Sequence, residues 1–179
     1  MPIYFTRTPF FERADEIVVR GERVRVGPHQ IIVWVSLTPP TRMTEPNPAA
    51  VPFPAILDTG HTHSLAISER HLAEWAGLRP GSLRHLGELR DRARDSRIPR
   101  RAANLWLHGN NPGERDRLSP RPARFLKMDE GIAVYPGADF PRLPLVGLRA
   151  IAENNLVLTV NGPKRAATLR TPLRWWPFG

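Results

Sequence analysis

The 179-residue chain contains no cysteine. That single absence excludes a disulfide scaffold, a thiolate zinc site and thiol catalysis. Lysine is nearly missing too: of 26 basic residues only Lys127 and Lys164 are not arginine. No apolar run approaches the ~20 residues that a membrane-spanning helix needs. The start, Met1-Pro2-Ile3-Tyr4-Phe5, has neither the charge nor the apolar core of a secretory signal. A soluble, cytoplasmic protein without a membrane partner is expected. Internal repeats are absent, and Asp-Thr-Gly occurs once, at 58–60.

Acidic residues are scarce relative to basic ones, 17 against 26, for a net charge of +9. With 20 prolines, the arginine skew is what GC-rich bacterial coding produces, and it does not by itself mark a nucleic-acid surface. The densest basic stretch, Arg84 to Arg101, holds seven arginines against Glu88, Asp91 and Asp95. No aromatic residue interleaves it, so the stacking signature of single-strand binders is missing. Nucleic acid is not expected as a partner, and the run reads as a solvated, flap-like surface.

Chemistry concentrates at Asp58-Thr59-Gly60, delivered by the apolar run Ala55-Ile56-Leu57. A buried strand here carries one carboxylate to a tight turn. Alone, such a triplet is often only a turn, with Asp capping backbone N–H groups. Two such carboxylates meeting at a symmetry axis cannot both ionise, and the shared proton splits their titration. One then serves as general base toward water and the other as acid toward a carbonyl. After the triplet, Thr62 to Ile67 alternates like a strand, and Ser68 to Leu78 reads as a short helix. Ser68 is its N-cap, Leu72, Trp75 and Ala76 share a face, and Gly77 is the stop. Much later Leu145-Val146-Gly147 leads into Leu148-Arg149-Ala150-Ile151. Two strands follow, 156–160 and 165–169, joined by a tight-hairpin signal at Asn161-Gly162.

These two motifs, in this order, resemble the retropepsin-like aspartic peptidases, in which one chain is half an enzyme. The resemblance covers roughly residues 22–172, between an N-terminal arm, 1–21, and an aromatic tail, 173–179. It implies an all-β class, mainly β with one or two short helices: a retropepsin-like acid-protease half-barrel that forms a homodimer. It implies an endopeptidase acting on polypeptide substrates without cofactor or metal, with Asp58 as the catalytic carboxylate. Thr59 would hydrogen-bond across the dimer axis and Gly60 would admit substrate backbone. His61, Thr62 and His63 would line the substrate cleft, and Leu145, Val146 and Gly147 would support the Asp58 turn. The chain differs from the family pattern in three places. His61 stands where Ala or Ser is usual, and Leu148 precedes Arg149 where Arg commonly follows the glycine. The flap stretch, 87–101, has no Gly beyond Gly87.

Other readings stand beside this one. His61 and His63, two apart on a strand, would share a face. With Asp58 they make a possible zinc set, although no further spacing signal supports it. Asp129, Asp139 and Glu153 are read as loop or cap carboxylates, and Trp75 and Trp106 as core aromatics. A retropepsin-like dimer that only binds or scaffolds is the alternative to a peptidase. An arginine-rich lid over two imidazoles would favour acidic peptides. Elsewhere, residues 1–15 read as an arm or extra strand, 23–26 and 29–37 as strands, and 38–54, with six prolines, as a loop. Residues 102–108 and 131–135 read as strands and 114–124 as a surface insertion. The tail, with Trp175, Trp176 and Phe178, is expected to dock.

Overall fold

The computed structural model describes residues 4–40, 49–91, 95–137 and 141–172. The tail at 173–179, residues 41–48 of the proline-rich loop, Asp139, and Arg92 and Arg94 of the basic run lie outside them. In chain order the elements are β1 (Tyr4–Pro9), β2 (Asp15–Val19), β3 (Glu22–Val26), β4 (Ile32–Thr38), β5 (Phe53–Asp58) and β6 (Leu65–Ser68). Helix α1 (Glu69–Glu74) follows, then β7 (His85–Asp91), β8 (Ser96–Arg101), β9 (Asn104–His108), β10 (Arg124–Leu126) and β11 (Ile132–Tyr135). Last come β12 (Leu145–Gly147), helix α2 (Leu148–Glu153), β13 (Val157–Asn161) and β14 (Ala166–Arg170). The class is mainly β with two short helices.

Nine strands form one sheet in the order β10-β9-β4-β5-β12-β6-β11-β8-β7; β1-β14-β13 and β2-β3 form two smaller ones. The decisive feature is β12. It runs parallel to β5, with Val146 opposite Leu57 and Gly147 opposite Asp58. On its other side it is antiparallel to β6, with Val146 opposite Leu65. The chain therefore leaves β5, arches over the end of β12 through residues 59–64, and returns as β6. A strand from ninety residues downstream fills the gap between two consecutive strands.

Burial follows from this arrangement. Ile32, Val35 and Leu37 of β4, Phe53 and Leu57 of β5, and Leu65 and Ile67 of β6 meet Leu72 of α1 and its C-cap residue Trp75 in one core. Ala66 points the other way, into a small cluster with Ile98 and Ala133 against which Leu89, Tyr135 and Leu145 pack. All four residues of β6 are buried, and Leu65-Ala66-Ile67 form a continuous apolar run, not an alternation. The β7–β8 hairpin covers that second face. By contrast β2 and β3 alternate cleanly, with Ile17, Val19, Val24 and Val26 inward. Arg20 and Gly21, both at positive φ, make the two-residue turn between them.

Helix α1 is capped as its sequence indicates. Ser68 Oγ accepts from the His71 N–H at 3.1 Å, Gly77 lies at φ +67°, and the Leu78 N–H reaches the Leu72 carbonyl at 3.0 Å. Three local expectations are corrected. The 59–64 stretch is a loop, because the chain must turn over β12 before pairing can resume at Leu65. The terminal hairpin closes through four residues, 162–165, not through a two-residue Asn-Gly turn. Pro163 fixes the φ that suits a type I turn, and Asn161 Oδ1 accepts the Lys164 N–H at 2.9 Å. Residues 114–124 are not merely a surface insertion. Arg115 is 5% exposed, and it pairs with Asp116 at 2.7 Å and with Asp15 at 3.2 Å. It also lies 5.0 Å over the Phe11 ring, and its carbonyl accepts from Trp34 Nε1 at 2.8 Å. This one side chain ties the loop to the β2–β3 hairpin. No helix among the described residues is long and apolar enough to cross a membrane.

Two imidazoles, the buried His71 and the half-buried His108, should make the fold acid-sensitive. The His71 ring stacks on Trp75 at 3.8 Å; burial, then the neighbouring Arg70 charge, pushes it down to about 4. Burial likewise pushes His108, beside Ser36 Oγ at 2.8 Å, down to about 4. Both values lie below the ordinary 6.5, so in this window the unfolded chain binds protons that the folded chain does not. Stability is complete above pH ~6.5 and falls as the pH drops toward ~4. Urea unfolding between about pH 7 and about pH 4.5 should show this loss. His71→Phe should flatten the dependence while keeping the Trp75 stack, since Nδ1 of His71 is buried without a partner. An unchanged slope in that variant would remove His71 from the account.

Candidate active site

The end of β5 presents Asp58 half-exposed, with Thr59 and Gly60 exposed after it. The turn closes on itself. The Gly60 N–H donates to Asp58 Oδ1 at 2.9 Å, and the His61 N–H to the Asp58 carbonyl at 3.1 Å. One carboxylate oxygen thus organises its own turn, as an Asx turn does. The other oxygen, Oδ2, has no partner among the described residues.

Beneath the turn lies Gly147. A β-carbon there would stand 2.0 Å from the His63 carbonyl oxygen and 2.5 Å from that of His61. Nothing larger than glycine fits. The same loop is bonded to the same place: the Gly147 N–H donates to the Ser64 carbonyl at 3.1 Å and the Leu148 N–H to the His61 carbonyl at 3.0 Å. Gly147 therefore supports the 58–64 loop through backbone contact, while Leu145 and Val146 pair with Ile56 and Leu57 of β5 and with Ala66 and Leu65 of β6. Leu145 also lines the cavity beside Asp58.

Two cavities flank the turn. One, of about 340 Å³, lies between Gly60-His61-Thr62-His63 and the β7–β8 hairpin. Leu89, Ile98 and Tyr135 form its apolar side, and Leu89 and Ile98 are cross-strand partners that point the same way. The other, of about 420 Å³, lies beside Asp58 and Thr59 and is walled by Ile56, Leu158 and Val160. The family resemblance implies residues 61–63 as a cleft wall, and they line the first cavity. Leu89, Ile98, Tyr135, Leu158 and Val160 went unmarked, although the alternation of the hairpin strands was the available signal for the first two.

Because 59–64 is a loop, His61 and His63 do not share a strand face. Their rings nevertheless meet edge to face at 5.4 Å. Burial is the main cause that holds the His61 imidazole below its ordinary value; the His63 charge adds to it and Asp58 opposes it. His63 is also lowered, first by burial; Glu130 opposes this, while Arg149 and Arg100 reinforce it. Both rings are neutral near neutral pH. His61 Nε2 is buried without a hydrogen-bond partner. Among the described residues no three His, Cys, Asp or Glu side chains converge as a metal-holding group. Of the weighed carboxylates, Asp129 pairs with Lys127 at 3.0 Å and Glu153 accepts from Ser64 Oγ at 3.4 Å.

Most of the described arginines of the basic run turn away from the first cavity and do not roof it. Arg97 pairs with Glu88 at 3.3 Å and Arg90 with Asp95 at 3.2 Å. Arg100 and Arg101 turn back to the carbonyls of Leu86 and Leu83, at 3.0 Å and 3.4 Å, and so brace the hairpin's base. Only Arg90 among the described arginines lines that cavity. Arg149, one place beyond its expected position, pairs with Glu130. Comparison of the chain with protein-family models, curated proteins and solved structures finds no match.

Two glycine substitutions separate a tightly packed position from an open one here. Gly147→Ala must displace two backbone carbonyls and should cost about 3 kcal/mol or more. Gly60→Ala meets only Asp58 Oδ1 at 3.3 Å, from a backbone conformation open to any residue. It should cost less than about 1 kcal/mol. Denaturant unfolding of both variants measures the contrast. Equal losses would mean that the loop does not sit on Gly147 as described.

Proposed function

We propose that this chain is one half of a retropepsin-like aspartic endopeptidase. Two copies would meet so that their Asp58 side chains share a proton and activate water. The observation that carries the reading is the placement of β12 between β5 and β6, with Gly147 directly under the loop that bears Asp58-Thr59-Gly60. A turn held this way offers an outward carboxylate whose Oδ2 is uncommitted. One carboxylate cannot be both base and acid in the same step, so a second must come from a partner copy.

The chain offers an edge for such a partner. Among the described residues β13 has no strand beside its outer edge. It carries Leu158 and the 52%-exposed Val160 beside the Asp58 cavity. An uncovered edge with apolar side chains invites strand pairing, and a twofold arrangement would place the same patch on both subunits. In the mechanism, the ionised Asp58 takes a proton from water as it attacks the peptide carbonyl. The protonated Asp58 of the second copy donates to the carbonyl oxygen. Collapse of the tetrahedral intermediate then returns a proton to the leaving amine. The neutral imidazoles of His61 and His63 and the apolar Leu89, Ile98 and Tyr135 would contact the peptide.

Peptidase activity on a mixed peptide library tests this. Asp58→Asn keeps an oxygen for the Gly60 N–H, so the fold should persist while the rate falls by about 10²–10⁴-fold. Activity should be bell-shaped in pH, skewed to mild acid, and should fall on dilution through dimer dissociation. An active monomer, or full activity in Asp58→Asn, would refute the reading. A folded dimer without peptidase activity would favour the scaffold alternative, in which the Asp58–Gly60 bond is purely structural.

A further inference from the structure

The β1-β14-β13 sheet turns its outer face onto a cavity of about 400 Å³, closed on the far side by the loop that follows β9. Strand register builds its floor. Arg7 lies opposite Thr168, and Thr168 opposite Thr159, so the three form one row across the three strands. Their neighbours Thr6, Thr8, Ala167 and Leu169 are buried inward, which turns the row outward. Lys164 enters from the terminal turn and Arg121 from the facing loop. None of the residues that line this cavity is acidic.

Three cations thus face one concavity, and among the described residues none of them has an ion-pair partner. Nearby arginines are paired: Arg165 with Glu12 at 2.7 Å and Arg117 with Glu114 at 3.8 Å. The backbones that carry the cations are also fixed. Buried Asn110 accepts from the Arg7 N–H at 2.9 Å and donates to the Arg7 carbonyl at 3.0 Å, which also takes the Gly113 N–H at 3.2 Å. The Lys164 N–H is held by Asn161. Uncompensated like charges gathered on a rigid wall repel one another, and a polyanion relieves that repulsion. Guanidinium and ammonium groups form charge-assisted bonds to phosphate oxygens, and threonine hydroxyls add donors.

We propose that this cavity binds a small, multiply charged phosphate anion, with Arg7, Arg121 and Lys164 as its cations and Thr159 and Thr168 as further donors. Its volume falls within the roughly 300–1,000 Å³ of small-molecule sites. It has no aromatic wall on which a base could stack, which favours a compact anion over a nucleic-acid strand. The assignment is independent of any peptidase activity.

Isothermal titration of the full chain with tripolyphosphate tests it. Saturable binding is expected, weakening as ionic strength rises toward about 0.15 M. Arg7→Gln and Lys164→Gln should each weaken it about tenfold, and the double variant more. Arg23→Gln, on the exposed face of β3, should leave it unchanged. Thermal unfolding without the anion reports whether each variant folds. Lys164 sits in an exposed turn, so its variant carries the test even if Arg7→Gln is unstable. Absence of saturable binding, or equal affinity in the Gln variants, would overturn the proposal. Tighter binding of a single-stranded oligonucleotide, lost in the same variants, would overturn it in favour of nucleic acid.

Discussion

The close approach of the His61 and His63 carbonyls to Gly147 is the constraint on which the rest of the structure depends. With those oxygens 2.5 Å and 2.0 Å from where a β-carbon would stand, residue 147 can only be glycine. Only with glycine there can the loop after β5 lie flat across the end of β12. That contact sets the register of β12 against both neighbours at once. It also sets the start of α2, because the first helical N–H, that of Leu148, is already committed to the His61 carbonyl. Asp58, opposite Gly147 in the parallel register, is placed by the same contact. Local backbone packing, not a side-chain network, fixes the direction of the carboxylate.

Inserting β12 has a second consequence. It makes β6 an interior strand of the large sheet, buried on both faces, so something must cover its second face. The β7–β8 hairpin does so through Leu89 and Ile98, and the cover extends over His61 and His63. This explains why two histidines in an irregular loop are dry enough to be held neutral. The cleft and its electrostatics follow from the same layering that closes the core.

Much of this was legible because the signals were local. A strand ending in Asp-Thr-Gly, Ser68 before a helical stretch and Gly77 after it each state their own conformation. The resemblance implied that Leu145-Val146-Gly147 supports the Asp58 turn, although not that the contact is Gly147 against the His61 and His63 carbonyls. What escaped was long-range. The period-two spacing of His61 and His63 suggested a strand face, but the crossing over β12 forces a loop. Seven arginines between 84 and 101 suggested a cationic roof, yet a hairpin brings Arg97 beside Glu88 and turns Arg100 and Arg101 to main-chain carbonyls. Arg115 looked like one more surface charge. Its burial depends on Asp15, a hundred residues earlier in sequence, which no local pattern indicates.

Charge in this chain is therefore informative only after pairing is subtracted. The net +9 suggests a uniformly basic surface, but many arginines are bound to a carboxylate or a carbonyl within their own neighbourhood. Exposed pairs of this kind are screened and contribute about 0–1 kcal/mol each, so they describe surface chemistry more than stability. What matters is where pairing fails in a concave, fixed place. β13 shows the distinction within one strand. Leu158 and Val160 face the Asp58 cavity, where an apolar wall raises the effective strength of any carboxylate interaction. Thr159 and Asn161 face the opposite cavity, where Arg7 and Lys164 stand uncompensated. The period of two along a five-residue strand separates an apolar surface from a cationic one. The chain thus keeps the Asp58 carboxylate and an uncompensated cationic patch on opposite sides of a single layer.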